Sequence, residues 1–517
     1  MNFSAWSIHN PVPAILLFVM LTVGGLLAFK NLPVQNFPDM DLPTISVTAT
    51  LDGAAPAQLE TEVARTIEDQ LASLSYLDHI TTTITDGTVS IKVSFKLEKD
   101  SEAALNEVRN AVDSAKADLP AQMETPSVTK VTVQSSALVT YAIGSTHLNE
   151  TELSWFVDND MSKALLSVPG VGQVSRVGGI DREVHVDLDP ATMASLGVTA
   201  ATVSAQLKSV QADTSGGVGE VGGTRQTLRT LGAVPSVEAL NGLRIPLANG
   251  QQVRLDDVAS VTDSFADRSS MAYLDGQRVI AVEIKRSNGF SDTGVAAGIK
   301  KAIEQFAAAH PNVQIDEAYS TVGPIIDNYN GSMQMLFEGA ILAIVVVWLF
   351  LRDWRATILS AVALPLSVIP TFLVMYLAGF SLNIVTLLAL SLMVGILVDD
   401  AIVEIENIAR HLKMGKRPID AALEAANEIG LAVIATTFTL VAVFLPTAFM
   451  SGIPGLIFRQ FGITAAVAVV ASLVVARLLT PMMAAYFMKA YPTEERDGRI
   501  MRAYMAIAKA SLNHRKT

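Results

Sequence analysis

Six predominantly apolar stretches, each long enough to hold about 20 helical residues, limit what this chain can fold into: 11–30, 334–351, 357–377, 382–408, 429–450 and 461–488. A bilayer's hydrocarbon core is about 30 Å thick, and a helix rising 1.5 Å per residue needs roughly 20 apolar residues to cross it. Each stretch is therefore expected to be a membrane-spanning helix. Half of the 517 residues are hydrophobic and only 17% are charged, which fits a membrane protein. The first stretch, PVPAILLFVMLTVGGLLAFK, has no Lys or Arg before it and no small-x-small cleavage site after it. It reads as a retained span rather than a signal peptide.

The loops between these stretches alternate in charge. Arg352 and Arg355 follow the second; Arg410, Lys413, Lys416 and Arg417 follow the fourth; Lys489, Arg496, Arg499 and Arg502 follow the sixth. The turn at 378–381 carries no charge, and 451–460 carries only Arg459. The positive-inside rule then places the N-terminus and the tail in the cytoplasm and segment 31–333 outside, since long segments translocate regardless of charge. A net charge of −13 argues against a nucleic-acid partner, which needs concentrated Lys and Arg. With no cysteine, disulfides, thiolate metal sites and cysteine nucleophiles are excluded. The seven histidines show no metal-ligand spacing, so no metal and no other cofactor is expected.

Segment 31–333 contains a repeat. TISVTAT (44–50) alternates as a strand does, and 56–74 places Leu59, Val63, Ile67 and Leu71 on one helical face. Strands near 78–86 and 88–97 meet at Asp86-Gly87, a hairpin signal. A helix at 101–118 and a strand at 127–134 complete a split βαβ unit. A second copy starts at 136–144, with a helix at 149–166 and a strand at 171–177. It resumes at 278–287 with a helix at 291–309 and a strand at 313–320. The interruption, roughly 178–270, reads as an inserted subdomain. Its Gly217, Gly219 and Gly222 match a dinucleotide-binding spacing but lack the strand–helix setting that chemistry requires.

The sharpest local feature is GILVDDAIVEIEN (395–407), which sets Asp399 and Asp400 inside apolar sequence. Arg410 marks the cytoplasmic interface eleven residues on, which puts Asp399 about 16 Å deep, near the membrane midplane. One central Asp costs roughly 2.5–3.5 kcal/mol, so a pair is kept only where it faces protein or water and handles protons or ions. Burial and a neighbouring carboxylate both favour the protonated form, which makes the pair a proton-loading site. Adjacent helical residues point about 100° apart, so this is not a face-to-face protease dyad. Arg477 lies twelve residues before Lys489, about 18 Å deep and level with the pair. It reads either as their counterion or as a side chain snorkelling to the cytoplasmic face.

These residues also resemble the resistance–nodulation–division (RND) family of proton-driven exporters, in its hydrophobic/amphiphilic (multidrug) efflux branch. NLPVQNFPDMDLPTISV, LFLRDWRATILSAVALPLSVIPTF and GILVDDAIVEIENIAR carry the resemblance, which spans the chain. It maps Asp399 and Asp400 onto the family's proton-relay aspartates. It implies an α+β membrane protein with a six-helix bundle, the first helix in 1–30 and the others in 334–488, and a cytoplasmic amphipathic tail at 489–517. It further implies a large periplasmic domain of two split βαβ (ferredoxin-like) porter subdomains, at 38–134 and at 135–177 plus 271–330, with a docking subdomain at 178–270. Val139 and Val177 match positions where drug exporters carry pocket phenylalanines, which implies an aliphatic substrate pocket. Family members carry twelve spans in two halves. This chain resembles the N-terminal half, and a missing C-terminal six-helix half would bring the relay's lysine and much of the pocket.

The function implied is export of amphiphilic, drug-like small molecules from the periplasm or the outer leaflet of the bacterial inner membrane. The chain would be a secondary transporter, a proton antiporter powered by the proton motive force, and not an enzyme. Its implied partners are further copies in a homotrimer, a periplasmic adaptor and an outer-membrane channel. The alternative is a proton-driven lipid or protein translocation accessory of the same superfamily, which usually lacks duplicated porter domains with an insertion. Intramembrane aspartyl proteolysis would need an aspartate on a second span, and no other span carries one.

Overall fold

The computed structural model describes residues 3–51, 53–131, 136–209, 214–221, 224–230, 234, 236–247, 250–489 and 499–513. Among the described residues, six helices are long and apolar enough to cross a membrane: Pro11–Asn31, Val322–Leu351, Trp354–Leu377, Ile384–Lys413, Pro418–Phe449 and Gly452–Phe487, numbered here spans 1 to 6. Span 2 begins twelve residues before the expected 334, because the polar turns from Val322 continue the helix. Pro324 is tolerated there, since a first-turn N–H has no intrahelical partner to lose. Spans 3, 4 and 6 are buried over half or more of their most apolar stretch, whereas spans 1, 2 and 5 turn most of theirs outward.

Local chemistry fixes how span 4 starts. Asn383 is fully buried and its side chain accepts from the amides of Val385 and Thr386, while the Thr386 hydroxyl accepts from the Asn383 amide. This reciprocal cap satisfies amides that the helix itself leaves open. Asn383 Nδ2 also donates to Gln460 Oε1 at 2.7 Å, which ties span 4 to span 6. Spans 1 and 3 meet at backbone contact: a Cβ on Gly25 would lie 2.2 Å from the Ile369 carbonyl oxygen. Small residues allow such close approach between helices in lipid.

The chain divides into two compact units. The first comprises the spans, the segment up to Leu138, and 286–297. Its sheet contains β1 (Thr44–Thr50), β2 (Leu77–Thr85), β3 (Thr88–Phe95) and β4 (Ser127–Lys130), in the antiparallel order β2-β3-β1-β4. The expected strand at 127–134 stops at Lys130, and 132–135 lie outside the described residues. Alternation along β1 buries Ile45, Val47 and Ala49, and along β3 Val89, Ile91 and Val93. Against them pack Leu59, Val63, Ile67 and Leu71 from the helix over Pro56–Leu71, and Ala104, Val108 and Val112 from helix Ser101–Ala115.

Two ionic clusters brace this unit. Asp41, just before β1, pairs with Lys130 at 2.7 Å and accepts from Ser101. Burial alone would raise its pKa, but Lys130 and Ser101 outweigh that and hold the carboxyl below its usual range. Arg286 has a side chain only 4% exposed and lies between Asp39, at 2.8 Å, and Asp292. Burial acts to discharge the guanidinium, and the two carboxylates more than compensate. Asp292 also accepts from the Asn36 amide, so this cluster anchors the chain as it leaves span 1.

The second unit contains β5 (Val139–Ser145) and β6 (Val171–Val177), joined through the helical segment from Glu150 to Leu166. An insertion follows, in which β7 (Arg182–Leu188), β8 (Thr214–Val221), β9 (Thr224–Thr230), β10 (Arg244–Pro246), β11 (Gln252–Arg254) and β12 (Ala259–Phe265) pair as β7 with β12, β8 with β9 and β10 with β11. It has its own small core of Met193, Val198, Val203, Ile245, Leu255 and Val258. β13 (Ala272–Leu274), β14 (Gln277–Arg286) and β15 (Val313–Ser320) then complete a five-stranded sheet, ordered β13-β14-β5-β15 with β6 also on β14. Of the tail at 489–517, residues 490–498 and 514–517 lie outside the described residues, and a helix occupies Arg499–Asn513.

Candidate functional site

Asp399 and Asp400 lie near the middle of span 4, between an apolar first half and a second half ending in Arg410, His411 and Lys413. Ser472 of span 6 faces Asp400. Its hydroxyl donates to Asp400 Oδ2 at 2.9 Å and also lies 3.1 Å from the Leu397 carbonyl oxygen. A hydroxyl has one proton and two acceptor positions. When Asp400 is ionised, Ser472 can donate to it. When Asp400 is protonated, Ser472 can turn its proton to Leu397 and accept from the acid. The site thus offers a partner to both protonation states of one carboxylate.

Asp399 is placed differently. It is exposed at the surface of this chain, and among the described residues it makes no hydrogen bond or ion pair. The helical offset between adjacent residues accounts for this, because turning Asp400 toward span 6 turns Asp399 off that interface.

Arg477 does not pair with either aspartate. Its Nη1 donates to the Ala426 carbonyl of span 5 at 2.6 Å and lies 3.7 Å from Glu404 Oε2. The guanidinium expected to serve as counterion or to snorkel thus has its contacts on Ala426 and Glu404 within the bundle. Ser472 is level with Asp400, so Arg477, five residues later, falls more than a turn further along and meets Glu404, four residues after Asp400. Counting back from Lys489 does not reveal this offset, because depth along one helix does not fix its register against another. Gly430 leaves the room: a Cβ there would lie 2.7 Å from the guanidinium. Arg477 also sits in a π-helical turn, Val475–Leu479, a local widening frequent at functional sites.

Glu404 is the residue that sequence reasoning passed over. Its side chain is 0% exposed, and among the described residues neither carboxylate oxygen has a hydrogen-bond partner. The available signal was its spacing, one turn after Asp400 on the same helical face.

The two expected pocket residues lie in the other unit. Val139 is 2% exposed in the core beneath β5, and Val177 is half-buried at the end of β6, with β14 between the two strands.

Residues 3–516 match the AcrB/AcrD/AcrF family. The multidrug resistance protein MdtC of Pectobacterium atrosepticum is 34% identical over 496 residues, covering 95% of this chain and 48% of the relative. The protein of the same name from Escherichia coli O139:H28 is 34% identical over 497 residues, with 96% and 48% covered. The chain spans about half the length of the curated relatives it matches.

Proposed function

The chain belongs to the AcrB/AcrD/AcrF family, and from that premise we propose that it is the inner-membrane part of a proton-driven exporter of amphiphilic, drug-like small molecules. The observation that carries this reading is the carboxylate pair at the centre of span 4, with Ser472 able to serve Asp400 in either protonation state. A carboxylate in this position is expensive unless it handles protons or ions. Neutralising it by a proton from one side and releasing the proton to the other couples the bundle to the proton motive force, with no further cofactor. The relatives' description as multidrug resistance proteins supports a small-molecule substrate.

In the same reading, segment 31–333 is periplasmic. The sheets built on β1–β4 and on β5, β6, β14 and β15 are porter subdomains taking substrate from the periplasm or the outer leaflet, near Val139 and Val177. The insertion carrying β7–β12 docks toward a periplasmic adaptor and an outer-membrane channel, within a homotrimer. The exposed position of Asp399 supports a second six-helix half lying over that face, and the half-length match to relatives agrees with it. The test is accumulation of a lipophilic dye in cells carrying the intact transporter. Asp400→Asn keeps the shape and removes the titrating group, so dye export should collapse while membrane insertion persists. Wild-type export by a normally inserted Asp400→Asn protein would remove the proton-site assignment.

A further inference from the structure

Among the described residues Glu404 is buried without a hydrogen bond, and Arg477 offsets its charge only at 3.7 Å while donating to a backbone carbonyl at 2.6 Å. An ionised carboxylate taken out of water is strongly disfavoured unless well partnered, and buried polar groups are ordinarily hydrogen-bonded. One with both oxygens open is suited to gaining and losing a proton.

Its neighbours along the helix extend the pattern. Asp400, Glu404, Asn407 and His411 fall at i, i+4, i+7 and i+11, a single face of span 4 running about 16 Å toward the Lys- and Arg-rich end. Asn407 Nδ2 lies 3.1 Å from the Ala425 carbonyl and 3.4 Å from Glu428 Oε2. His411 Nε2 lies 2.9 Å from the same Glu428 oxygen, and Glu428 also accepts from Arg410 at 2.6 Å. Glu428 and Glu424 are half-exposed, so the row ends at the surface of the bundle.

The charged surroundings are few. Span 6 contributes Arg477 to this half of span 4, and no charged residue follows it up to Phe487. Span 5 contributes Glu424 and Glu428, engaged by Lys416, His411 and Arg410. Between Ala356 and Leu377, span 3 has no Asp, Glu, His, Lys or Arg. The N-terminal helix Phe3–His9 carries only His9, whose ring contacts the Ala5 carbonyl.

We propose that Glu404 is a third carboxylate of the proton route, taking the proton from Asp400 and releasing it toward the Lys- and Arg-rich end of span 4, with Arg477 as a positioning residue for its ionised form. This rests on the proton-driven reading of the Asp399–Asp400 site. In the step, the acid O–H of Asp400 breaks and a new O–H forms on Glu404, leaving Asp400 ionised and Glu404 neutral with total charge unchanged. The helix rises about 6 Å between the two residues, a gap that one bridging water covers.

The test uses the intact transporter in vesicles containing a pH-sensitive dye, with an imposed proton gradient and a lipophilic cationic dye as the exported probe. Glu404→Gln should lose substrate-dependent proton flux, and Glu404→Asp should retain it with an altered pH profile. The double variant Glu404→Leu with Arg477→Leu replaces a buried pair by apolar side chains, a change that often preserves or raises stability. It should keep its thermal unfolding midpoint and still lose flux. Wild-type flux in that folded double variant would reduce the pair to a structural role and overturn the proposal. Asp400→Asn is measured alongside. Flux surviving there removes the underlying reading, whereas flux lost there but intact in both Glu404→Gln and the double variant removes only the role of Glu404.

Discussion

Ser472 is a small residue with a large share of the site's chemistry, because it is the hydrogen-bonding partner of Asp400. Ser472→Ala should lower proton-coupled export several-fold, since the ionised form then loses a charge-assisted hydrogen bond worth about 1.5–3 kcal/mol. Ser472→Thr, which keeps the hydroxyl, should retain most activity, and dye export by the two variants at equal expression separates them. Asp399 and Asp400 were legible in the sequence because two carboxylates stand out inside apolar residues. Glu404 was not, because apart from its spacing from Asp400 nothing local marks it: its burial and its place beside Arg477 are set by packing between helices. The partner of Arg477 was illegible for the same reason, as depth along one helix does not fix its register against another.

At the scale of elements, the first unit depends on contacts that tolerate little change. Arg286→Ala would leave Asp39 and Asp292 facing each other with the buried cation gone, which should cost about 3–5 kcal/mol. A drop in the thermal unfolding midpoint of the purified protein would show it, and Arg286→Lys should fall in between, since one ammonium cannot reproduce the forked contact. Gly25→Leu should push span 1 off the Ile369 carbonyl and destabilise the bundle by about 1–3 kcal/mol or more, read in the same assay. The spans could be read because 20 apolar residues in a row have few other uses, and β1 because Ile45, Val47 and Ala49 alternate cleanly. The early start of span 2 and the three-residue β13 could not be read, as polar helical turns and very short strands carry no periodic signal.

At the scale of the whole molecule, the central carboxylates are only partly enclosed by this chain. Span 4 packs against spans 2, 3, 5 and 6, yet Asp399 remains exposed. A charged face at that depth is costly toward lipid. The 517-residue chain alone is therefore expected to insert without exporting, and to gain activity with a six-helix partner, which co-expression and dye export would test. The most direct measurement is substrate-dependent proton flux through the intact transporter in sealed vesicles, compared between wild type, Asp399→Asn and Asp400→Asn. Flux that appears on adding the exported dye to wild type and vanishes in both variants, with all three proteins equally folded, is the expected result. Undiminished flux in either variant would contradict the assignment of the span 4 pair as the proton-loading site.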